Sequence, residues 1–459
     1  MKCKQLKQIF FSLLFSLTMT VSLYSGNNGA VTPETALNAY LNNDDTSFKW
    51  EVHDQTQAEG LTAYRLILTS QTWRNIPWQH ELIVLVPKEL NYHDALLFIT
   101  GGSVKEGYPN LHKWDDKLIQ SMGQVATTNQ AIVAIIWQVP NQPLYDDLTE
   151  DALISFTLHN YQNDQDFTWP LLFPMTKSAI KAMDAIQEFS RQQLSFGVEQ
   201  FVVSGASKRG WTTWLTGASD QRVKAIGPMV IDVLNMPVNV DYHKVAWGDY
   251  SIQIEDYVRL GIAQQVNTPG GSDLVNMIDP YAYRKNLSIP KMLFIGTNDE
   301  YWPVDAVKNY IDSIPGQNMI CYTPNAGHGL GDKKTALTTL SAFFGMAARN
   351  QPYPTNDYSI SSTAQGASLK VQANADLLEE VILWTTSSSD RDFRDEQWSS
   401  SSLGQKARSE IQLDIPFPET GYKAFYVDLK YKAPYGGSYT QSTRMFVTDN
   451  KALLLQRGQ

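Results

Sequence analysis

The chain has 459 residues, 43% of them apolar, which is enough for one large hydrophobic core with a smaller one beside it. Its formal net charge is −10. With no basic run of the kind that grips a phosphate backbone, nucleic acid is excluded as an expected partner.

Residues 1–25 read as a secretory signal. Lys2, Lys4 and Lys7 precede an apolar stretch, Ile9 to Leu23, of the length of a signal core. A membrane span needs about 20 apolar residues, so no span is expected in the mature protein, which would be secreted or periplasmic. An uncleaved anchor is the competing reading, because no clean A-x-A site follows; Ser25 and Ala30 are the candidate cleavage ends. Cleavage would remove Cys3 and leave only Cys321, so no internal disulfide can form. Cys321 sits within N-M-I-C-Y and reads as a small buried hydrophobe.

From residue 61 to 350, apolar runs alternate with amphipathic stretches. The pattern predicts strands at Tyr64–Thr69, Glu81–Val86, Ala95–Thr100, Ile132–Gln138, Phe201–Ser204, Ala225–Ile231, Met292–Ile295 and Met319–Tyr322. The central ones are unbroken Val/Ile/Leu/Phe runs, as in a parallel sheet covered on both faces. Helices are predicted over Thr176–Gln193 and Lys333–Asn350 from apolar residues on one helical stripe. The fold class is therefore α/β, with helices on both faces of the sheet. Residues 139–175 and 233–288 break the rhythm and read as lids or binding insertions within a domain spanning 26–350.

After the linker Asn350-Gln-Pro-Tyr-Pro the pattern turns to period two. Phe425, Val427, Leu429 and Tyr431 alternate with Ala424, Tyr426, Asp428 and Lys430. Val371–Ala373, Val381–Thr385 and Arg444–Thr448 are further strand candidates, and Ser387–Ser389 and Ser399–Ser402 read as exposed loops. A small C-terminal β-sandwich domain over 351–459 is expected.

The chemistry gathers at the strand ends. Segment 201–219 reads as strand, tight turn and helix around G-A-S-K-R-G, with Ser207 at the turn. Gly205 and Ala206 are small enough to let such a nucleophile elbow close. The second glycine is Gly210, one place later than in G-x-S-x-G, so the motif is a variant. Asp299 follows the strand Lys291–Gly296, and His328 follows the next strand in a glycine-flanked loop. The order Ser207, Asp299, His328 is that of α/β-hydrolases, with His328 as base and Asp299 fixing its tautomer. Asp232, after the strand ending M-V-I, is a rival for the acid, and Glu300 and Asp305 are weaker rivals.

An oxyanion hole would take the Lys208 N–H and a donor from Gly101-Gly102-Ser103. Lys208 and Arg209 stand in the first helical turn, where the dipole disfavours cations. Either they serve an anionic intermediate or acidic substrate group, or they pair with nearby carboxylates. Trp302 and Trp169 are pocket candidates, whereas Trp211 and Trp214 read as core. The histidines are scattered, so neither a metal nor another cofactor is expected.

The run from Val203 to Met236, V-S-G-A-S-K-R-G-W-T-T-W-L-T-G-A-S-D-Q-R-V-K-A-I-G-P-M-V-I-D-V-L-N-M, closely resembles the PhoPQ-activated pathogenicity-related protein family, which includes secreted autocrine proliferation repressors. G-T-N-D-E-Y-W and P-N-A-G-H-G are similar to later motifs of that family. The resemblance implies an α/β-hydrolase-like domain followed by a small β-domain, in an exported protein linked to virulence or secreted signalling. The elbow is also similar to that of glucuronoyl esterases, where an arginine follows the serine and helps stabilise the oxyanion. Lys208 stands there in this chain and lacks the planar fork.

The expected function is a secreted serine hydrolase acting on a small-molecule or polar ester, less readily on a peptide. The alternative is a non-catalytic secreted binding or signalling protein that retains the fold and meets a protein partner through its C-terminal domain.

Overall fold

The structure is a computed structural model and describes residues 30–404, 410–433, 435 and 437–459. The signal-like stretch 1–25 and Cys3 lie outside the described residues.

Nine strands build the first part of the sheet. They are β1 (Lys49–Ala58), β2 (Leu61–Trp73), β3 (Ile76–Pro87), β4 (Tyr92–Ile99) and β5 (Ala131–Ile136). Then follow β6 (Phe201–Ala206), β7 (Val223–Met229), β8 (Lys291–Gly296) and β9 (Asn318–Thr323). Their order across the sheet is β1, β2, β3, β5, β4, β6, β7, β8, β9. The first four neighbours pair antiparallel, and β5 through β9 run parallel. This is the strand order of an α/β-hydrolase-like sheet, preceded by one extra edge strand. That edge strand, K-W-E-V-H-D-Q-T-Q-A, has no apolar run and escapes the sequence pattern.

Both faces of the parallel region are buried, which is why its strands read as continuous apolar runs. Leu97 and Ile99 face α4 (Leu172–Leu194) and α5 (Lys208–Ser219), in one core with Trp214, Met183 and Ile186. The alternate residues Leu96 and Phe98 face α2 (Lys117–Asn129) and the helix Lys334–Ala348, in a second core with Met122 and Phe344. The chain leaves β4 toward β5 and returns to β6 on the other side of β4. A crevice therefore opens beyond the carboxyl ends of β4 and β6, the usual place for a ligand in an open α/β sheet.

The strands after residue 350 continue this sheet. Ser442 in β16 (Ser438–Ser442) pairs with Ile320 in β9, and β15 (Tyr422–Lys432), β12 (Leu378–Ser388) and β13 (Ser399–Ser402) follow outward. Counting β17 (Phe446–Thr448) on β15, fourteen described strands form one sheet. A three-stranded sheet of β10 (Asn356–Ser362), β11 (Gly366–Ala373) and β14 (Glu410–Pro416) packs over β15, with Leu369, Val371, Val427 and Leu429 between the layers.

Two details differ from the expectations for this region. The strand β15 is buried on both faces rather than alternating in and out. Ala424 and Tyr426 join the main core, while Asp428 accepts hydrogen bonds from Trp384 Nε1 at 2.9 Å and Ser442 Oγ at 2.5 Å. Burial pushes the Asp428 carboxyl up to about 7. Ser399–Ser402 is an exposed edge strand paired with Ile382–Thr385, not a loop, and Ser387 and Ser388 end β12 rather than standing in a loop; serines carry no apolar signal.

Gly210 explains how closely α5 lies on the sheet. A Cβ there would come within 2.7 Å of Ile231 Cγ2 and 2.8 Å of the Met229 carbonyl. Gly210→Ala is expected to destabilise the fold by about 1–3 kcal/mol, the range for overpacking. A lowered urea-unfolding midpoint checks this, and an unchanged midpoint would show that α5 has room to shift.

Candidate active site

Ser207 occupies the sharp turn between β6 and α5 with φ +59° and ψ −125°, a conformation that only a well-held turn keeps. Its N–H donates to the Met229 carbonyl at 2.9 Å. Gly205 is required because a Cβ would meet Arg209 and the Ile99 carbonyl at 2.9 Å. The turn therefore lifts Ser207 Oγ beyond the sheet edge, and the late glycine of the variant motif lies against β7.

The structure brings all three predicted triad positions together. His328 Nε2 lies 2.9 Å from Ser207 Oγ. Its Nδ1 lies 3.0 Å from each carboxylate oxygen of Asp299. Asp299 is buried and also accepts the Tyr301 N–H at 2.8 Å. Such a chain can draw a proton from the serine onto an imidazole whose far side is held by a carboxylate.

The rival acids are engaged elsewhere. Asp232 is buried and accepts a short hydrogen bond from the Tyr310 hydroxyl. Burial raises its carboxyl to about 7 despite that bond, with the Asp299 charge adding to the rise. Asp305 pairs with Lys308 at 2.7 Å and accepts from Tyr242. Glu300 accepts the His328 N–H at 2.8 Å and so fixes the loop rather than the ring.

Both elbow cations are paired with carboxylates of the helix α3 (Glu150–Asp164). Lys208 Nζ lies 2.8 Å from Asp151 and 3.3 Å from Glu150. Arg209 makes a two-pronged contact with Glu150 at 2.7 Å and 2.7 Å, and its Nε donates to the Val139 carbonyl. Burial alone would raise the Glu150 carboxyl, but the Arg209 hydrogen bonds and the two cations hold it down at about 2. The first-turn cations are thus neutralised by α3, which removes their availability as a reason to expect an acidic substrate. Arg209 instead fills the space left by Gly101, whose Cβ would come within 2.6 Å of its Nη2.

The Gly101–Ser103 loop leaves β4 beside the elbow. The Gly101 and Gly102 carbonyls accept from the Gln138 N–H and the Gln142 side chain, and Ser103 Oγ accepts from Asn110. Lys208 opens α5, so its N–H is one of the helix's first-turn donors without an intrahelical partner. An anion above Ser207 would meet that donor.

Ser207 and His328 line a cavity whose empty space, open mouth included, is about 780 Å³. The 233–288 excursion roofs it with α6 (Met236–Trp247), the helix Pro269–Ile278 and the short helical turns between them. Trp302 lines it, and so does Trp211, which is at the same time part of the main core, as expected. Trp169 does not. It stacks under Arg74 at 3.5 Å, among Trp73, Tyr145 and Phe156.

The sequence reading missed a polar group at the serine end. Asp151 accepts from the Tyr257 hydroxyl at 2.9 Å and lies 3.4 Å from that of Tyr301, whose ring stacks near His328 at 4.1 Å. Burial, then the Asp151 charge, raises the Tyr257 phenol well above its ordinary range, so it remains a donor. Position 151 falls within the 139–175 excursion, and that break in the strand–helix rhythm is the one local signal for it.

The C-terminal region also reaches the site. Asn298, beside Asp299, donates to the carbonyls of Phe393, Arg394 and Glu396 at 3.1, 3.1 and 2.8 Å. Asn325, in the His328 loop, donates to the Trp398 carbonyl at 3.1 Å and accepts the Trp398 N–H at 2.7 Å.

The family described as PhoPQ-activated pathogenicity-related protein matches residues 37–394. Autocrine proliferation repressor protein A of Dictyostelium discoideum is 28% identical over 452 residues, covering 91% of this chain and 88% of that protein. An acetyl xylan esterase from Paenibacillus sp. R4 superposes with a TM-score of 0.48 at 15% identity, over 69% of this chain and 95% of that one. A glucuronoyl esterase from Solibacter usitatus gives 0.41 at 13% identity, over 69% and 92%.

The raised Asp232 carboxyl has a consequence for stability. The folded chain keeps a proton there that the unfolded chain has lost, so the contribution is full below about pH 4 and is lost as pH rises through about 7. Asp232→Asn keeps an acceptor for Tyr310 and is expected to flatten that fall. Urea midpoints of both proteins at about pH 4 and about pH 7 check it; parallel falls would show that Asp232 is not the group responsible.

Proposed function

The chain belongs to the PhoPQ-activated pathogenicity-related protein family, and for it we propose a serine hydrolase that cleaves small carboxylic esters through an acyl-enzyme on Ser207. The observation that carries the reading is Ser207 Oγ at 2.9 Å from His328 Nε2, with Asp299 at 3.0 Å behind the ring.

In the first half-reaction Ser207 Oγ attacks the ester carbonyl carbon and passes its proton to His328 Nε2. The carbonyl oxygen becomes an oxyanion received by the Lys208 N–H and the Gly101–Ser103 loop. The bond to the alcohol oxygen then breaks, and His328 returns the proton to the leaving alkoxide. In the second half a water gives its proton to His328 and attacks the acyl carbon. Collapse releases the carboxylic acid, and the proton goes back to Ser207 Oγ. Asp299 holds the imidazole in the tautomer with a proton on Nδ1 and stabilises the imidazolium. A small ester suits the roofed cavity better than a polypeptide, which would need an open cleft along both directions of the chain.

Export is part of this proposal. Its support is the basic start and the apolar stretch Ile9–Leu23, and a new N-terminus near Ser25 or Ala30 in the exported protein would test it. The name of the Dictyostelium relative favours a second reading, a non-catalytic secreted binding or signalling protein that keeps the fold without needing turnover. The two readings part on whether the serine reacts.

A fluorophosphonate probe is expected to label the wild-type protein on Ser207 and to label neither Ser207→Ala nor His328→Ala. Asp299→Asn is expected to lower kcat by roughly 10³–10⁴ through the wrong tautomer, whereas Asp232→Asn stays within a few-fold of wild type. Absence of labelling on wild-type Ser207 would overturn the hydrolase reading in favour of the signalling one.

A further inference from the structure

We infer that the cavity beside Ser207 receives a hydrocarbon chain, so that the preferred substrate is an ester of an apolar carboxylic acid rather than an acetylated or charged one. The inference rests on the hydrolase reading above and names its substrate class.

Side-chain chemistry around the cavity carries it. Beyond the serine end the walls are aliphatic and aromatic, with Val240, Ile254, Ile262, Val266, Leu274 and Trp302 all buried. Four of its lining residues besides Ser207 and His328 carry ionisable side chains: Asp151, Lys208, Tyr257 and Tyr301. These are bonded to one another, through Lys208 Nζ to Asp151 at 2.8 Å and Tyr257 to Asp151 at 2.9 Å. The positive charge of Lys208 is balanced within the group. A carboxylate or sugar entering the aliphatic part would lose its water and gain no partner, which costs it several-fold to many-fold in affinity. A methylene placed there is favoured about fourfold.

The direction of the ester follows from the two-step chemistry. The alcohol must depart before water attacks, whereas the acyl group stays bonded to Ser207 Oγ through both steps. A pocket walled by the 233–288 excursion suits the part that stays. The roof comes from one excursion, residues 233–288, and within it Ala263 is the smallest side chain facing the cavity, apart from glycine. A larger residue there would shorten the space for the chain.

Two measurements test this on the full-length protein. The first is kcat/KM for p-nitrophenyl acetate, butyrate and octanoate. A rise of at least tenfold from acetate to butyrate, reversed toward the shorter ester in Ala263→Phe, is expected. The second needs no turnover: titration of Ser207→Ala with decanoate, read by the fluorescence of Trp211 and Trp302. Saturable binding weakened tenfold or more by Ala263→Phe is expected. Esters hydrolysed with acetate preferred, or with no dependence on chain length, would overturn the inference and leave the hydrolase reading standing. Decanoate binding without ester turnover or fluorophosphonate labelling would retire the hydrolase and keep the hydrocarbon pocket. Neither binding nor turnover would remove both.

Discussion

Arg209 is the residue around which this site is assembled. Its guanidinium binds Glu150 with two hydrogen bonds, its Nε binds the Val139 carbonyl, and its planar end fills the space that Gly101 leaves open. Three separate stretches of chain therefore meet on one side chain: the loop after β4, the segment after β5, and α3. Gln142 extends the link, donating to both Glu150 and the Gly102 carbonyl. Breaking the pairing would cost more than breaking a typical surface bridge, because the contact is bidentate and Arg209 would be left buried without a counter-charge. The cost of placing a cation against the helix dipole is met by a carboxylate drawn from another helix. With that contact in place, the loops beside Ser207 have fixed positions relative to the elbow.

Much of the fold was legible because the parallel strands are short, apolar and separated by helices of clear period. All eight predicted strands between residues 61 and 350 fall on observed ones. The chain order of Ser207, Asp299 and His328 was equally readable, since each follows its own strand and loops at one sheet edge converge. What sequence spacing could not decide was which carboxylate meets the imidazole. Asp232 and Asp299 both follow a strand at that edge; only packing shows that Tyr310 takes the first and His328 the second.

The features that were not legible have a common cause. They depend on contacts between distant segments rather than on local pattern. Asp151 looks like any acidic residue at a helix start until Tyr257, from another excursion, and Lys208, from the elbow, close around it. Local pattern leaves open whether the cations at 208 and 209 are free or paired, because their partners lie some sixty residues earlier in the chain. The strand β1 and the serine edge strand β13 carry no apolar run because each is an edge covered on one side at most. Period two failed in β15 for the opposite reason, that the β10–β11–β14 layer covers one face and the main core the other.

The continuation of the central sheet past residue 350 bears on how this protein comes into being. As a chain emerges from its N-terminus, the serine, the acid and the base are all made before the strands that complete the sheet. Until β16 pairs with β9, that strand has a bare edge, of the kind that invites pairing with another chain. Until residues 393–398 dock, the side-chain amides of Asn298 and Asn325 lack these backbone partners, and the loops carrying Asp299 and His328 are untethered on that side. The site is thus completed by a later part of the chain that contributes no atom to it. A protein built this way has Ser207, Asp299 and His328 tied into register only after the strands beyond residue 390 are made, which makes those strands a timing element as well as a structural one.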